Sequence, residues 1–466
     1  MGGCGTEYAI LIDFGSTYTK LTCVDLRERR VLLTERFPST VHTDARIGLH
    51  QCFDAARREM GGDRFASALK LSSSSAAGGL RMAVIGLTRT LSVVAGKNAA
   101  YGAGAKIMKN YFGAMTEQEI SGLESSDTEI VLLCGGYERG NRSMVLHNAE
   151  MLARSALSVP VIYAGNSEAA PEVRKILNLG GKECFLVDNI IPSVGVLDIA
   201  PAEEVIRHIF MKRITNMMGM SKVQEEIGEI LMPTPAAVLA AGTLLSSGTA
   251  TQEGIGTMMM VDVGGATTDV YSFNENRGYQ GAKVIGAPEP YAKRTVEGDM
   301  GMRESSVCLL QETGTAALAQ GAGVSEERIR EAVRHRIAER SYVADSQEEF
   351  RIDCEIARQA VGISVRRHAG RVERVRTGSA RQNQLGKNLS EIRTLIGTGG
   401  VIVNHPDPAS ILCCATLRQE ESEYILVPRK LEYRVDRNYV FYAAGLLRDY
   451  DEEAAMAIMK TSIGLE

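Results

Sequence analysis

Two short turns rich in glycine and hydroxyl residues each follow an apolar, strand-like segment, and together they could bind phosphate. The first is DFGSTYTK, residues 13–20, and the second is DVGGATTDV, residues 262–270. Glycine lets the backbone approach an anion closely, and consecutive backbone N–H groups with nearby hydroxyls can hold it. We predict that the two turns face each other as a phosphate clamp, formed by Gly15, Ser16, Thr17, Thr19, Lys20, Gly264, Gly265, Ala266, Thr267 and Thr268.

Three carboxylates accompany these turns and are the candidate catalytic residues. Asp13 and Asp262 each end the strand before a turn, and Asp269 stands at the far end of the second turn. Mg²⁺ prefers oxygen ligands and keeps much of its hydration shell. Asp13 and Asp262 are therefore candidates to hold Mg²⁺ through water, with the metal bridging phosphate oxygens. Asp269 either orients an attacking water molecule or completes the outer shell of the metal.

A third glycine cluster follows a later apolar run in the sequence LIGTGGVI, residues 395–402. Its members are Gly397, Gly399 and Gly400. Without a Cβ atom, backbone at these positions could lie flush against a nucleoside.

Several of these residues also have a structural interpretation. Lys20 could pair with phosphate or lie on the solvent face of its strand, and Thr267 and Thr268 could be β-branched strand residues only. The Arg-rich stretch Arg366–Arg381 could contact adenine or phosphate, or form a solvated helix face. The loop Ser72–Gly79 could line the cleft or dock a partner.

The elements that position these turns have an alternating α/β pattern. The turns repeat one arrangement of strand, turn and returning strand, which indicates a duplicated architecture with one copy in each half. Pro233 and Pro235 open an Ala- and Leu-rich helix before the second turn. Between the turns, strand-like runs alternate with helical runs, and we expect the strands to pair in parallel. The predicted strands span 80–87, 129–134, 159–164 and 184–188. The predicted helices span 89–100, 148–157 and 167–177.

We predict three parts of the chain from this organisation. Residues 1–248 form a first lobe with the first turn and the connecting helix, and residues 249–440 form a second lobe with the second turn and the third glycine cluster. A helical insertion spans about 302–385, with helical runs at 302–311, 324–350 and 355–368. Residues 441–466 form a C-terminal helix that packs back on the first lobe.

Composition excludes several classes of protein. The 466 residues are 44% hydrophobic and 23% charged with a net charge of −5, which favours a globular protein and gives no sign of nucleic-acid or membrane-surface binding. Nine cysteines include no C-x-x-C pair, so neither a zinc site nor a disulfide framework is indicated. No apolar run is long enough to span a membrane. We therefore expect a soluble, cytoplasmic protein.

The three glycine motifs, in this order, resemble the phosphate-1, phosphate-2 and adenosine motifs of the actin, heat-shock chaperone and sugar kinase superfamily. This resemblance implies two ribonuclease H-like lobes around a cleft that holds Mg-ATP. It makes Asp13 and Asp262 metal-shell carboxylates and places Gly399 and Gly400 in the adenosine pocket. Within that superfamily, DFGSTYTK, SSSSAAGGLRMAVIGLT and VPVIYAGNSEA resemble the glutamate mutase L family, commonly called MutL or GlmL.

Membership of that family would imply a protein partner. Its members accompany adenosylcobalamin-dependent aminomutases of amino-acid fermentation and are thought to act as ATP-dependent chaperones or reactivating factors. The resemblance therefore implies mutase subunits, ATP and ADP as binding partners, and a homodimer is one assembly the chain could form.

One position departs from the superfamily pattern. Heat-shock chaperones begin the helix before phosphate-2 with Glu-Pro-Thr, whereas this chain has Met232-Pro233-Thr234. The missing acid favours ATP binding with slow hydrolysis, as in a switch.

Two other functions compete with this one. An ATP-driven iron–sulfur activator of a dehydratase would use Cys134 or the Cys413-Cys414 pair as cluster ligands. A small-molecule kinase would need a general base, for which Asp269, Asp188 or Glu168 could serve.

Overall fold

A computed structural model describes residues 6–41, 43–75, 80–215, 219–340, 342–375, 382–422 and 424–465. Parts of two predicted features, residues 76–79 of the Ser72–Gly79 loop and residues 376–381 of the Arg-rich stretch, lie outside the described residues.

The described residues contain strands and helices throughout. The strands are β1 (Tyr8–Phe14), β2 (Tyr18–Asp25), β3 (Arg30–Pro38), β4 (Leu69–Ser74), β5 (Arg81–Gly86), β6 (Lys106–Phe112), β7 (Ile130–Gly135), β8 (Val161–Gly165), β9 (Cys184–Leu186), β10 (Met232–Pro233), β11 (Met258–Val263), β12 (Thr268–Phe273), β13 (Lys283–Ile285), β14 (Ala292–Glu297), β15 (Arg371–Arg374), β16 (Gln382–Leu385), β17 (Thr394–Thr398) and β18 (Glu432–Val435). The helices are α1 (Ala45–Met60), α2 (Gly62–Ser67), α3 (Ser92–Gly102), α4 (Glu117–Glu124), α5 (Ser143–Arg154), α6 (Ala170–Leu179), α7 (Ala200–Thr215), α8 (Met220–Ile227), α9 (Thr234–Ser247), α10 (Ser306–Thr313), α11 (Thr315–Ala322), α12 (Glu326–Ala338), α13 (Gln347–His368), α14 (Gly400–Val403), α15 (Ala409–Leu412), α16 (Phe441–Leu447) and α17 (Glu452–Ser462).

Two five-stranded sheets repeat one topology. The first has the order β10-β4-β1-β2-β3, and the second has the order β14-β12-β11-β17-β18. In each sheet the first three strands in sequence form an antiparallel meander, and the next two are parallel to the first strand. This is the ribonuclease H-like arrangement present twice, so the fold is α/β, two-lobed and actin-like. The duplication predicted from the two turns is confirmed.

The central strand of the first sheet is buried on both faces, which explains its continuous apolar sequence. Successive side chains point to opposite faces of a strand. Ile10 and Ile12 belong to the core that contains residues of α1, whereas Ala9 and Leu11 belong to the core built around α9 and α16. That second core also includes residues of β11, β12 and β17, so it joins the two lobes.

Helices α9 and α16 cross closely at the junction of the lobes. A Cβ atom on Gly445 of α16 would collide with the backbone carbonyl group of Ala237 on α9. Helix α16 also contacts β1 and β4 of the first sheet, and α17 contacts β3.

A third sheet of five parallel strands lies between β4 and β10 in the sequence, and we call this part the inserted domain, residues 80–231. Its order is β6-β5-β7-β8-β9, a doubly wound arrangement with the strands in the order 2-1-3-4-5. The predicted strands at 80–87, 129–134, 159–164 and 184–188 are confirmed, as is their parallel pairing. Strand β6 was not predicted, because its mixed sequence KIMKNYF gave no buried-strand signal, and the division of these strands into a separate sheet was not predicted either.

The insertion in the second lobe is helical from α10 to α13 but differs from the prediction in two respects. The expected helix at 324–350 is interrupted between α12 and α13, since Ser346 caps the first turn of α13 by accepting a hydrogen bond from the backbone N–H of Glu349. Beyond His368, β16 pairs with β15 on one side and with β13 on the other in a small sheet, so the insertion is not helical as far as residue 385.

Among the helices of the described part of the chain, none combines the length and the apolar character needed to cross a bilayer.

Candidate nucleotide site

The two glycine turns have the same internal geometry. The backbone N–H of Gly15 donates to the carbonyl of Tyr18 at 3.0 Å, and the N–H of Gly264 donates to the carbonyl of Thr267 at 2.9 Å. The hydroxyl oxygen of Thr17 lies 3.5 Å from the position that a Cβ on Gly265 would occupy. The turns therefore face each other across the gap between the lobes.

Both turns line one cavity of roughly 640 Å³, a volume that suits a nucleotide-sized ligand. Eleven of the residues predicted to form the site line this cavity: Gly15, Ser16, Thr17, Lys20, Asp262, Gly264, Gly265, Ala266, Thr267, Asp269 and Gly400.

The strand registers make the two turns equivalent but give them different charges. Asp13 pairs with Lys20 across β1 and β2, and Asp262 pairs with Asp269 across β11 and β12. The same position therefore holds a cation in the first lobe and an acid in the second.

Asp13 lies beneath the cavity and is fully buried. The hydroxyl of Thr234 donates to its Oδ1 at 2.5 Å and that of Ser73 donates at 3.4 Å, while Lys20 Nζ lies 3.0 Å from its Oδ2. Thr234 belongs to the Met-Pro-Thr segment that lacks the superfamily's acid. Its role here is to hold the Asp13 carboxylate in place.

Lys20 occupies the space between the carboxylates and an aromatic ring. Its Nζ donates to the hydroxyl of Tyr439 at 3.2 Å and lies 4.3 Å from the centroid of that ring. Burial opposes the charge of Lys20, but the negative charges of its neighbours, including Asp13 and Asp262, keep its pKa above the usual value. Tyr439 has a positive φ of 55°, a sparsely populated conformation for a tyrosine.

Asp262 faces the cavity without an ion pair among the residues that the structure describes. Burial raises its pKa to about 7, reinforced by the negative charges of Asp269, Asp13 and Asp436 and opposed by Lys20. A cation bound beside this carboxylate would favour its ionised form.

Asp269 is held by a buried arginine. Arg294 Nε donates to Asp269 Oδ1 at 2.7 Å, and the hydroxyl of Thr267 donates to Oδ2 at 3.2 Å. A second nitrogen of Arg294 donates to the carbonyls of Tyr101 and Ala105 in the inserted domain, at 2.8 and 3.4 Å. Asp269 therefore joins the second turn to the inserted domain, and this pairing limits its freedom to orient water.

Part of the cavity wall is apolar. It is lined by Gly400, Val401 and Val403 around α14, and by residues between α12 and the first turn of α13. Two of the latter are unusually exposed apolar side chains, with Val343 at 65% and Phe350 at 42%. Such a wall is suited to the flat face of a base.

Two predicted contact residues of the turns, Thr19 and Thr268, do not face the cavity. Thr19 is buried, with its hydroxyl beside Gly48 of α1, and Thr268 donates to the carbonyl of Met300. Side chains alternate along a strand, so Thr19 and Thr268 must point away when Lys20 and Asp269 point into the cleft. This alternation was a signal that the sequence already contained.

The third glycine cluster is also partly corrected. Gly397 lies within β17, where an added Cβ would crowd Ile402 and Leu412, so it serves packing and not the cavity. Gly399 has a φ of 95°, and a Cβ there would meet the backbone of Val263 and the carboxylate of Asp262. Gly399 therefore supports the position of Asp262, and of the cluster only Gly400 lines the cavity.

The residues proposed for the competing functions lie elsewhere or are occupied. Asp188 and Glu168 follow strands of the inserted domain and are not among the residues that line the cavity. The Cys134 thiol is buried, where it donates to backbone carbonyls and burial raises its pKa to about 12. The described residues contain no group of three His, Cys, Asp or Glu side chains arranged to hold a metal ion.

The donor set nevertheless fits a hydrated Mg²⁺ that is completed by phosphate oxygens. Its oxygen ligands would come from Asp262 at the cavity surface and Asp13 beneath it, and carboxylates are the donors that Mg²⁺ prefers.

Two ribonuclease H-like lobes, with a glycine turn from each facing a common cleft, define the actin-like class of nucleotide-binding folds. Comparison with known proteins is more specific. The model of the MutL protein family matches residues 9–463, and this chain belongs to that family. Protein MutL of Clostridium tetanomorphum is 38% identical over 453 residues, which covers 97% of this chain and 98% of that protein.

The solved structures to which this chain is similar share little sequence with it. The ethanolamine utilization protein EutJ from Carboxydothermus hydrogenoformans has 11% identity and a TM-score of 0.30, covering 97% of this chain and 89% of that one. Xylulose kinase from Bifidobacterium adolescentis has 11% identity and a TM-score of 0.32, covering 98% and 94%.

Proposed function

We propose that this protein is an ATP-dependent switch that acts as a chaperone or reactivating factor for an adenosylcobalamin-dependent aminomutase such as glutamate mutase. The observation that carries the nucleotide part is the pair of equivalent glycine turns facing one cavity, with Asp262 exposed to it. The client is inferred from the family to which the chain belongs.

In this proposal the backbone N–H groups and hydroxyls of the two turns bind the phosphates, and Lys20 neutralises charge beside them. Asp13 and Asp262 would hold Mg²⁺, which bridges phosphate oxygens and offsets their charge when bound. The apolar wall that includes Val343 and Phe350 would take the adenine base. ATP would hold the two lobes together, and loss of the terminal phosphate would release them.

Slow hydrolysis of ATP is consistent with the contacts that the carboxylates of Asp13, Asp262 and Asp269 make. Asp13 is engaged by Thr234 and Lys20, and Asp269 is engaged by Arg294. Asp262 is the remaining acid that faces the cavity, and as a metal carboxylate it would be a weak general base. A slow ATPase would keep each nucleotide state long enough for a client to respond.

The first test is a calorimetric titration of the protein with ATP and Mg²⁺. We expect Mg²⁺-dependent binding in the wild type and its loss in Asp13→Ala and Asp262→Ala, because each substitution removes a metal-shell carboxylate. The thermal unfolding of each variant, measured by circular dichroism, checks that the fold is intact. Unchanged nucleotide affinity in both variants would refute the site.

The client is tested with glutamate mutase reconstituted with hydroxocobalamin, an inactive cobalamin. Addition of this protein, ATP, Mg²⁺ and free adenosylcobalamin should restore mutase activity, and Asp262→Ala should not. Iron in anaerobically purified protein, or phosphate transfer to a small acceptor in place of water, would favour the competing functions.

A further inference from the structure

The inserted domain contributes one wall of the cavity. Three residues of the segment that connects α3 to β6 line the cavity: Gly104, Ala105 and Lys106. On one side, a Cβ on Gly104 would meet Pro233 at 2.8 Å, next to the start of α9. On the other side, Arg294 of the second lobe holds the carbonyl of Ala105.

Lys106 connects this segment to the second turn. Its Nζ donates to the carbonyl of Gly298 at 3.2 Å. The hydroxyl of Ser305 lies 3.0 Å from the same carbonyl and 2.6 Å from the carbonyl of Ala266 within the turn. Lys106 is therefore connected to the second turn through the carbonyl of Gly298 and the hydroxyl of Ser305.

The charge of Lys106 is not balanced locally. Four other cations that line the cavity each pair with a carboxylate: Lys20 with Asp13, Arg294 with Asp269, Arg303 with Asp353 and Arg340 with Glu304. Among the described residues, no carboxylate lies within 4 Å of Lys106 Nζ. Arg36 and Arg437 also line the cavity without a carboxylate partner among the described residues. They belong to the edge strand β3 and to the segment after β18, and not to the inserted domain.

We propose that Lys106 binds the terminal phosphate of the nucleotide, which makes the cavity select a triphosphate over a diphosphate and ties the inserted domain to the phosphate. This inference rests on the proposed nucleotide function. A lysine is a compact charge on a flexible stem, so it can leave the Gly298 carbonyl for a phosphate oxygen without movement of the backbone. When the terminal phosphate is lost, the hydrogen bond to the Gly298 carbonyl is the interaction that Lys106 retains.

The test compares ATP and ADP, each with Mg²⁺, by calorimetric titration of the wild type and Lys106→Met. A charge-assisted hydrogen bond to phosphate corresponds to roughly a 10- to 100-fold change in affinity. We expect ATP affinity to fall by about that factor while ADP affinity stays within twofold of the wild type. Lys106→Arg should retain most of the preference for ATP because it keeps the charge.

Lys109→Met is the matched control, because Lys109 is an exposed residue of the same strand. It should leave both affinities unchanged. An equal loss of ATP and ADP binding in Lys106→Met, or no loss of either, would overturn the assignment of Lys106 while leaving the nucleotide site intact. A wild type that binds neither nucleotide would overturn the proposed function and this inference with it.

Hydrogen exchange supplies a second readout. The wild type should protect the amides of residues 101–106 more strongly with ATP than with ADP, and Lys106→Met should show no such difference. Equal protection by the two nucleotides in the wild type would contradict a tie between the inserted domain and the terminal phosphate.

Discussion

At the scale of single residues, charge pairing decides which of the predicted acids is free to act. Asp13, Asp262 and Asp269 have similar sequence surroundings, yet only Asp262 faces the cavity without a salt bridge among the described residues. Asp269 depends on a buried arginine that lies 25 residues away in the sequence. The pair is a structural connection between the second turn and the inserted domain.

We expect Arg294→Gln to destabilise the protein by about 3 kcal/mol, because it leaves Asp269 buried without its counter-charge. Chemical denaturation at pH 7 measures this loss. The double variant Arg294→Gln with Asp269→Asn should recover much of the stability, since no uncompensated charge remains. If the single variant were as stable as the wild type, the buried pair would not have the importance assigned to it.

At the scale of elements, the packing of α7 against α3 places an acid in an unfavourable environment. Glu203 lies beside Gly102, at the carboxyl end of α3, and its Oε2 is 3.7 Å from the Arg207 guanidinium. Burial raises the pKa of Glu203 from 4.5 to about 7, and Arg207 opposes this shift. The folded protein therefore holds a proton here at a pH where the unfolded chain has released it.

This protonation predicts a pH dependence of stability. Between pH 4.5 and about 7 the folded state binds more protons at Glu203 than the unfolded state, so the free energy of unfolding falls as pH rises. The total loss is about 3 kcal/mol. Glu203→Gln, which stays neutral, should be more stable than the wild type at pH 8 and similar to it below pH 5.

Thermal unfolding at several pH values provides the measurement. Glu204→Gln, at an exposed position of the same helix, is the control and should leave the pH dependence of the wild type unchanged. If the stability of the wild type and of Glu203→Gln changed with pH in the same way, burial of Glu203 would not lower the free energy of unfolding as pH rises.

At the scale of the whole molecule, the lobes meet at the crossing of α9 and α16, and we expect a change in the cleft to reach the rest of the chain through this crossing. The contact is close because Gly445 has no side chain against the backbone of Ala237. If the proposed nucleotide draws the two turns together, we expect these helices to move relative to each other.

Gly445→Val should force α9 and α16 apart, because the added side chain overlaps the α9 backbone. Overpacking of this kind costs about 2 kcal/mol, which thermal unfolding would detect. Small-angle scattering should show a more compact wild type with ATP than with ADP, and a reduced difference in the variant. Ala457→Val on the neighbouring α17 is the control. A nucleotide response in Gly445→Val equal to that of the wild type would contradict a role for the α9–α16 crossing in this change.

The sequence by itself determined the two turns, their duplication and the class of fold, because these depend on local spacing. A strand that ends in aspartate, followed by a glycine turn and a returning strand, specifies its own hairpin wherever it lies in the molecule. The same alternation along β2 and β12 could have shown that Thr19 and Thr268 point away from the cleft. The family also followed from segments of contiguous sequence.

Only the tertiary structure decided which charges meet. The sequence gives no sign of the partners of three residues, because these partners lie in other parts of the chain: Gly298 for Lys106, Tyr101 for Arg294 and Asp13 for Thr234. The inserted domain likewise reaches the cavity only because its parallel sheet places the α3–β6 connection against the second lobe. Contacts between distant segments depend on how sheets and helices pack, and the spacing of residues along the chain does not encode that packing directly.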